Sequence, residues 1–214
     1  MWEKCKSLQN DLVALRRRFH QIPELGEDLP ETQALLCAEL DKMGIPYKKN
    51  TLDSGVVALI EGGKPGKVIA LRADMDGLPI TEATGLPFAS RHEGRMHACG
   101  HDTHMTMLLG AAKVLNENKA GLKGTVKLIF QTAEGTCTGS QIMLKEGVME
   151  NPHVDAVFGM HIGTIIDPNI PAGTVIVTPG CCMASYDHFV LRVTGKGCHG
   201  STPEKGVDPI GAAS

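Results

Sequence analysis

Side chains that bind divalent metals or transfer protons occur at several separated points of the chain, each beside an apolar run. They are Asp74, Asp76, Cys99, His101, Glu134 and His161. Thiolate, imidazole and carboxylate groups are the usual protein ligands of Zn²⁺ and related ions. A carboxylate beside such an ion can also take a proton from a water molecule that the ion activates. The set as a whole predicts a hydrolytic metal site.

Taken singly, most members of the set also have an ordinary structural interpretation. Cys99 and His101 are compatible with a buried thiol and a surface imidazole next to a helix-capping Asp102. His161 is compatible with a hydrogen-bonded histidine at the end of a strand. Glu134 favours a functional interpretation, because an unpaired carboxylate directly after a buried strand is costly. Cys99 could also be a nucleophile with His101 as its base, but their spacing makes the side-chain geometry awkward.

A glycine-rich segment at residues 195–200, GKGCHG, matches the dinucleotide-binding pattern G-x-G-x-x-G. In that pattern a helix must follow the glycines, and an acidic residue about 20 positions further on must bind the ribose. Here STPEKG follows instead of a helix. A nucleotide-dependent enzyme therefore remains only an alternative, and the absence of dinucleotide binding would exclude it.

The elements that must position these side chains alternate between helix and strand. Leu8, Leu12, Leu15 and Phe19 form a helical stripe that ends near Pro23. Further helices are predicted at residues 31–43, 103–116, 140–146 and from 208. Strands are predicted at residues 55–62, 67–76, 125–131, 154–160, 175–177 and 188–193. The pattern predicts an α/β fold, in which functional residues gather at the carboxyl ends of the strands.

Composition excludes several classes of function. Lys and Arg number 21 and Asp and Glu 24, so the formal net charge of −3 gives no positive field for nucleic acid or an anionic membrane. Aromatic residues make up only 4%, too few for platforms that stack single-stranded bases. There is no apolar run long enough to span a bilayer and no signal peptide. Seven irregularly spaced cysteines favour a reducing, cytoplasmic environment.

Six stretches carry a resemblance to a known family, and they occur in the order RRRFHQIPELGEDLPETQALL, ALRADMDGLPI, MHACGHDTHMTMLLGAA, FQTAEG, GMHIG and GKGCHGSTPEKGVDPI. Together they resemble the amidohydrolase branch of the M20 metallopeptidase family. The resemblance implies a zinc-exopeptidase-like α/β domain, a mixed sheet with helices on both faces, and an inserted α+β lid domain. We therefore expect a catalytic domain at residues 1–180 and the beginning of the lid at 181–214, with its first strand at 187–196.

The same resemblance implies a reaction and a role for each site residue. The reaction is hydrolysis of the amide bond of an N-acyl amino acid, and the full-length form is expected to be a homodimer. The implied roles are metal ligation by Cys99, His101 and His161, general base catalysis by Glu134, orientation of a ligand by Asp76, and substrate binding by His199. The implied cofactors are two divalent ions per site, Zn or Mn, with Co or Ni also accepted. His104, one helical turn beyond His101, is assigned a structural role.

Two departures from the family pattern qualify this interpretation. Gly135 stands where the family has a second, metal-binding glutamate, which predicts fewer bound ions here. The rest of the lid and a late metal-binding histidine have no counterpart, so we expect a piece of a longer protein with an exposed hydrophobic sheet edge. Both departures keep open a second hypothesis, a catalytically silent relative that retains the fold without a full metal site.

Overall fold

The computed structural model describes residues 2–163, 169–181, 184–185, 187 and 189–214. The chain forms two compact units, Met1–Asn169 and Ile170–Ser214. This division falls between Asn169 and Ile170, earlier than the predicted domain boundary between residues 180 and 181. The assignment of residues 181–214 to a lid domain stays a prediction.

The first unit is built on a five-stranded sheet, and the sheet is mixed, as the family resemblance implies. Its strands are β1 (Tyr47–Lys49), β2 (Val56–Glu61), β3 (Lys64–Asp74), β4 (Lys123–Gln131) and β5 (Ala156–Gly159), in the spatial order β1-β2-β4-β3-β5. β1 pairs with β2, and β2 with β4, in antiparallel fashion. β3 lies parallel to both β4 and β5. The carboxyl ends of β3, β4 and β5 therefore meet at one edge of the sheet.

Four helices precede or follow the strands and cover one face of this sheet. They are α1 (Trp2–Ser7), α2 (Gln9–His20), α3 (Pro30–Lys42) and α4 (His101–Glu117). Buried side chains of α2, α3 and α4 pack with β2, β3 and β4 in the main core, among them Phe19, Leu40, Met105 and Phe130. Pro30 suits the first turn of α3 because it needs no hydrogen-bond partner there. The carboxylate of Glu24 accepts hydrogen bonds from the next two backbone N–H groups of that turn.

The opposite face is covered by α5 (Gly139–Lys145) and by the segment that follows it. Met143, Val148 and Val154 pack there against strand residues in a second, smaller core. Lys127 of β4 is also buried, with only 1% of its surface exposed. Its ammonium donates hydrogen bonds to three backbone oxygens, those of Val148, Glu150 and Pro152, at 2.8, 2.9 and 2.9 Å. Helices thus lie on both faces, and the predicted fold class is confirmed.

Two of the differences between the observed and the predicted elements of the first unit concern β1 and α4. The short strand β1 was not predicted, because three residues with an intermediate-exposed-exposed pattern give no clear alternation. α4 begins at His101 rather than at residue 103, so His101 lies in its first turn and not in the preceding loop. Gly100 makes this start possible, since its φ of 90° lies in the left-handed region that favours glycine.

The outer strand β5 is exposed to solvent. All four of its residues are exposed, and Val157 and Phe158 have relative exposures of 52% and 56%. In the described part of the chain, no helix combines the length and the apolar character needed to cross a membrane.

The second unit contains a 3₁₀ turn at Pro203–Lys205 and the short helix α6 (Pro209–Ala213), which begins where the sequence predicts a helix and is capped by Asp208. The strands predicted at 175–177 and within 187–196 do not form among the described residues of these segments, and His188 lies outside them. A strand needs a neighbour to pair its N–H and C=O groups. In the described part of this unit, that pairing is limited to one isolated bridge between Lys196 and Val207.

Candidate metal centre

The predicted site residues of the first unit lie where three parallel strands end. β3 ends at Asp74, β4 at Gln131 and β5 at Gly159. Asp76, Glu134 and His161 follow these ends within a few residues. The parallel pairing of β3 with both neighbours brings the three ends together, which explains how residues so far apart in sequence reach one place.

Cys99, His101 and His161 form a compact cluster at this edge. One ligand atom from each of these side chains lies within 4.8 Å of the other two. The Sγ atom of Cys99 is 3.2 Å from Nε2 of His161. The structure thus brings the three predicted ligands together, and a thiolate with two imidazoles is a donor set that suits Zn²⁺ or a similar divalent ion.

His101 gives the clearest indication that a group is bound here. In the described part of the chain, neither of its buried ring nitrogens has a hydrogen-bond partner. Buried polar atoms without partners are rare in folded proteins, and a bound metal ion is one explanation. Burial by itself lowers the pKa of His101, but the carboxylates of Asp76 and Asp74 outweigh it and raise the pKa. The cluster therefore fits a divalent cation.

Asp76 links this cluster to the segment that carries Glu134. Its Oδ1 accepts a hydrogen bond from the backbone N–H of Glu134 at 3.0 Å, and its Oδ2 accepts one from Gly135 at 3.3 Å. Oδ1 also lies 3.4 Å from Nδ1 of His101. Burial disfavours the charged form of Asp76, yet His101 and the two backbone N–H groups lower its pKa overall. One ionised carboxylate therefore anchors the Glu134 backbone and lies beside the His101 ring.

Glu134 reaches the cluster with its side chain. Its Oε2 is 3.8 Å from Nε2 of His101, and 39% of the side chain is exposed. The preceding residue, Ala133, is buried and has a φ of 47°, a conformation uncommon for a residue other than glycine. This turn points the carboxylate of Glu134 from the end of β4 towards the cluster and leaves it accessible to water.

A second group of possible ligands, Asp74, His101 and His104, lies directly behind the first. Apart from His101, the members of this group, Asp74 and His104, are already bonded to other protein groups. Nδ1 of His104 is 2.6 Å from Asp74, its Nε2 accepts the backbone N–H of Ile162, and Arg72 donates to Asp74 at 2.8 Å. Burial opposes ionisation of Asp74, but His104, His101 and Arg72 lower its pKa to about 2. This arrangement agrees with the structural role that the sequence assigns to His104.

The thiol of Cys99 is kept protonated in the absence of a cation. Burial raises its pKa, and the negative charges of Glu134, Asp74 and Asp76 raise it further. Such surroundings also make Cys99 a poor nucleophile, since the thiolate is the reactive form. A metal ligand is the better interpretation, because a bound cation stabilises the thiolate directly.

Gly135 leaves open space beside the cluster. A Cβ atom at this position would lie 3.8 Å from Oδ2 of Asp76 and 3.8 Å from Cδ2 of Leu78, both ordinary contacts. The position is therefore able to accept a side chain but supplies no ligand. Cys137 is exposed, and it belongs to neither group of possible ligands that the described residues form.

His199 lies in the second unit and is exposed. Its Nδ1 is 2.9 Å from Oγ of Ser201 and accepts the backbone N–H of Ser201 at 3.2 Å. These contacts are local to the turn at residues 199–202. Its role in substrate binding stays a prediction.

Sequence reasoning missed a buried group behind the first turn of α4. His20 contacts both Asp102 and Glu82 there. His97 is buried nearby, and it has no hydrogen-bond partner in the described part of the chain. Burial lowers the pKa of His97 to about 4. Helical or strand periodicity does not relate residues this far apart in sequence. The one signal in the sequence is that His20 directly follows Phe19, the last residue of the apolar helical stripe, which indicates that this end of the helix faces the core.

Comparison with known proteins places this geometry in a family. The description "Peptidase family M20/M25/M40" matches residues 70–207, which is more than half of the chain, and the chain belongs to that family. The match includes the carboxyl end of β3, the Cys99–His101–His161 cluster, Glu134 and His199. The resemblance stated from the sequence is thereby confirmed.

Curated relatives include proteins named as a deacetylase and as a hydrolase. An N-acetyl-L-cysteine deacetylase of Bacillus subtilis (strain 168) is 45% identical over 97% of this chain and 49% of its own length. An IAA-amino acid hydrolase ILR1-like 5 of Arabidopsis thaliana is 43% identical over 95% of this chain and 45% of its own length. The chain spans about half the length of the curated relatives it matches.

Solved structures agree with the fold. A putative aminohydrolase from methicillin-resistant Staphylococcus aureus matches with a TM-score of 0.84 and 37% identity, over 99% of this chain and 55% of that chain. The YXEP protein of Bacillus subtilis is described as a dinuclear metal-binding peptidase of the M20 family. It matches with a TM-score of 0.76 and 43% identity, over 82% of this chain and 48% of that chain.

Proposed function

We propose that the protein is a metal-dependent hydrolase that cleaves the amide bond of N-acyl amino acids to a carboxylate and a free amino acid. The observation that carries the proposal is the cluster of Cys99, His101 and His161, with the carboxylate of Glu134 beside it. The orphaned ring nitrogens of His101 support a cation as the bound group. Zn²⁺ or Mn²⁺ is the proposed ion, with Co²⁺ or Ni²⁺ as substitutes.

In this proposal each residue has a distinct task. Cys99, His101 and His161 hold the ion, which supplies Lewis acidity towards the amide carbonyl and towards water. Glu134 takes a proton from the attacking water and delivers it to the leaving nitrogen, a task that its accessible carboxylate suits. Asp76 keeps His101 and the Glu134 backbone in place. His199 is proposed to bind the substrate or its developing oxyanion.

The substrate class is supported by the names of similar proteins. An N-acetyl-L-cysteine deacetylase and an IAA-amino acid hydrolase both act on an amide between an acyl group and an amino acid. Two thermostable carboxypeptidases of Saccharolobus solfataricus, each 43% identical, extend the range of amides in the group. The comparisons do not support the catalytically silent alternative, since these relatives bear the names of active enzymes. The homodimer and the cytoplasmic location expected from the sequence stay predictions.

The test is metal-dependent release of free amine from a panel of N-acetyl amino acids. The protein is stripped with a chelator, dialysed, and reloaded with Zn²⁺, Mn²⁺ or Co²⁺. We expect the activity to disappear on stripping and to return with at least one ion, whereas Cys99→Ser should regain little activity at the same ion concentration. Amine release that is unaffected by stripping would refute the metal-dependent mechanism. A folded protein that no ion activates would refute the proposed activity.

A further inference from the structure

Three acidic and imidazole side chains form a buried chain behind the first turn of α4. His20 contributes Nδ1, which lies 2.7 Å from Oδ2 of Asp102, and Nε2, which lies 3.2 Å from Oε1 of Glu82. The side-chain exposures of His20, Asp102 and Glu82 are 2%, 0% and 4%. One imidazole thus stands between two buried carboxylates that come from different parts of the chain.

Each carboxylate is also bound to its own segment. Asp102 accepts the backbone N–H of Thr103 at 2.8 Å, within the first turn of α4. Glu82 accepts the hydroxyl of Thr84 through Oε1 and the backbone N–H of Ser90 through Oε2. His20 therefore joins the beginning of α4 to the middle of the segment that precedes it.

That preceding segment has little structure of its own. Residues 75–100 contain no helix or strand, and one isolated bridge, between Leu78 and Met96, closes part of it. This segment delivers Cys99, and the first turn of α4 delivers His101. The relative position of these two proposed ligands therefore depends on contacts such as the one that His20 makes.

The contact works fully only when the imidazole carries a proton on both nitrogens. A neutral ring has one N–H, so its other nitrogen would turn a lone pair towards a carboxylate oxygen. The groups that face His20 are Asp102 and Glu82, with Arg16 bound to Asp102 at 2.8 Å and the edge of the Phe88 ring alongside. The hydrogen bond to Asp102 raises the pKa of His20, and that of Glu82 adds to it, against the opposing effects of burial and Arg16.

We propose that His20 is a positioning residue of the metal centre, which holds Cys99 and His101 in ligand geometry by joining Glu82 to Asp102. The inference rests on the proposed function, since it presumes that Cys99 and His101 bind the ion. His20 itself is separated from the ligands by Asp102 and does not touch them. Its effect is therefore on the arrangement of the ligands and not on their number.

The experiment compares Co²⁺ binding by the protein and by matched variants. Cobalt reports on the thiolate ligand through a sulfur-to-metal charge-transfer band in the near ultraviolet, so the titration follows Cys99 and not merely total metal. His20→Gln removes the imidazole that lies between the two carboxylates, and Glu82→Gln removes the carboxylate at the far end of the connection. His92→Gln is the control, because His92 lies in the same segment and bonds to the backbone oxygen of Pro23 at 2.8 Å.

We expect His20→Gln and Glu82→Gln each to weaken Co²⁺ binding about tenfold or more, the range seen when groups that orient metal ligands are removed. The double variant should lose little more than either single variant, because both break the same connection. His92→Gln should bind as the unsubstituted protein does. Circular dichroism and thermal unfolding of each variant establish that it is folded.

Three outcomes would overturn the inference. The first is normal Co²⁺ affinity in a folded His20→Gln protein. The second is normal affinity in Glu82→Gln if His20→Gln does not fold. The third is failure of both variants to fold, which would make the connection a requirement of the whole fold and not of the ligand geometry. If the unsubstituted protein itself shows no charge-transfer band, the proposed metal centre fails instead, and the two failures are thereby distinguished.

Discussion

The substitution Asp76→Asn tests whether one carboxylate holds the Glu134 segment. Asp76 is 4% exposed and accepts two backbone N–H groups, from Glu134 and Gly135, on its two oxygens. Asparagine has the same shape but only one oxygen, so its NH₂ group must face one of those donors. The change loses one hydrogen bond to a charged group, worth about 1.5–3 kcal/mol, and leaves a backbone N–H unpaired. We expect the free energy of unfolding to fall by about 3 kcal/mol.

The measurement is urea unfolding of chelator-treated protein, which separates this effect from loss of a metal ion. Asp155→Asn is the matched control, because Asp155 also accepts a backbone N–H, from Val68 at 2.8 Å, but at an exposed position. We expect the control to cost less than about 1 kcal/mol, since water can replace the bond there. Equal losses in the two variants would refute the idea that Asp76 anchors the Glu134 segment.

Three further changes test other parts of the structure. Ionised Asp74 should stabilise the fold above its unfolded pKa of 3.8, and about 2 kcal/mol of this should vanish as the pH falls towards 2. This contribution is measured by comparing how the free energy of unfolding falls with pH in the unsubstituted protein and in Asp74→Asn. Parallel curves for the two proteins would contradict the prediction. Gly135→Glu should raise the number of ions bound per chain by elemental analysis, whereas Gly135→Gln should not; two tightly bound ions in the unsubstituted protein would contradict the expected deficit. Lys127→Met should lower the free energy of unfolding by about 3 kcal/mol, because three backbone carbonyls lose their donor through one buried and two half-buried hydrogen bonds. Lys123→Met, at an exposed position, should change it by less than about 0.5 kcal/mol, and similar losses in the two variants would refute the role of Lys127.

Much of the first unit was predictable because its strands are strongly apolar and its ligands follow them directly. β3 and β4 each end in a buried run, and the rule that parallel strands present functional groups at their carboxyl ends brings Asp76, Glu134 and His161 to one edge. The start of α4 was less predictable, because it depends on the left-handed conformation of a single residue, Gly100.

The connection through His20 was not predictable from local pattern. His20 and Asp102 are 82 positions apart, and His20 and Glu82 are 62 apart, so neither helical nor strand periodicity relates them. The packing of α2 against α4 brings His20 to Asp102, and the segment that precedes α4 brings Glu82 to His20. The strands predicted at residues 175–177 and 188–193 are not found among the described residues for a different reason. An apolar segment forms a strand only if a partner strand lies beside it.

The proposed role of Glu134 as the base of a metal centre is tested most directly by the rate at which Glu134→Gln releases amine from an N-acetyl amino acid. Both proteins are loaded with the same ion, and their metal contents are measured and matched. We expect equal metal binding but a rate lower by about 10²–10⁴-fold in the variant, because glutamine cannot accept the proton of the attacking water. A variant with matched metal content that releases amine as fast as the unsubstituted protein would exclude Glu134 as the base.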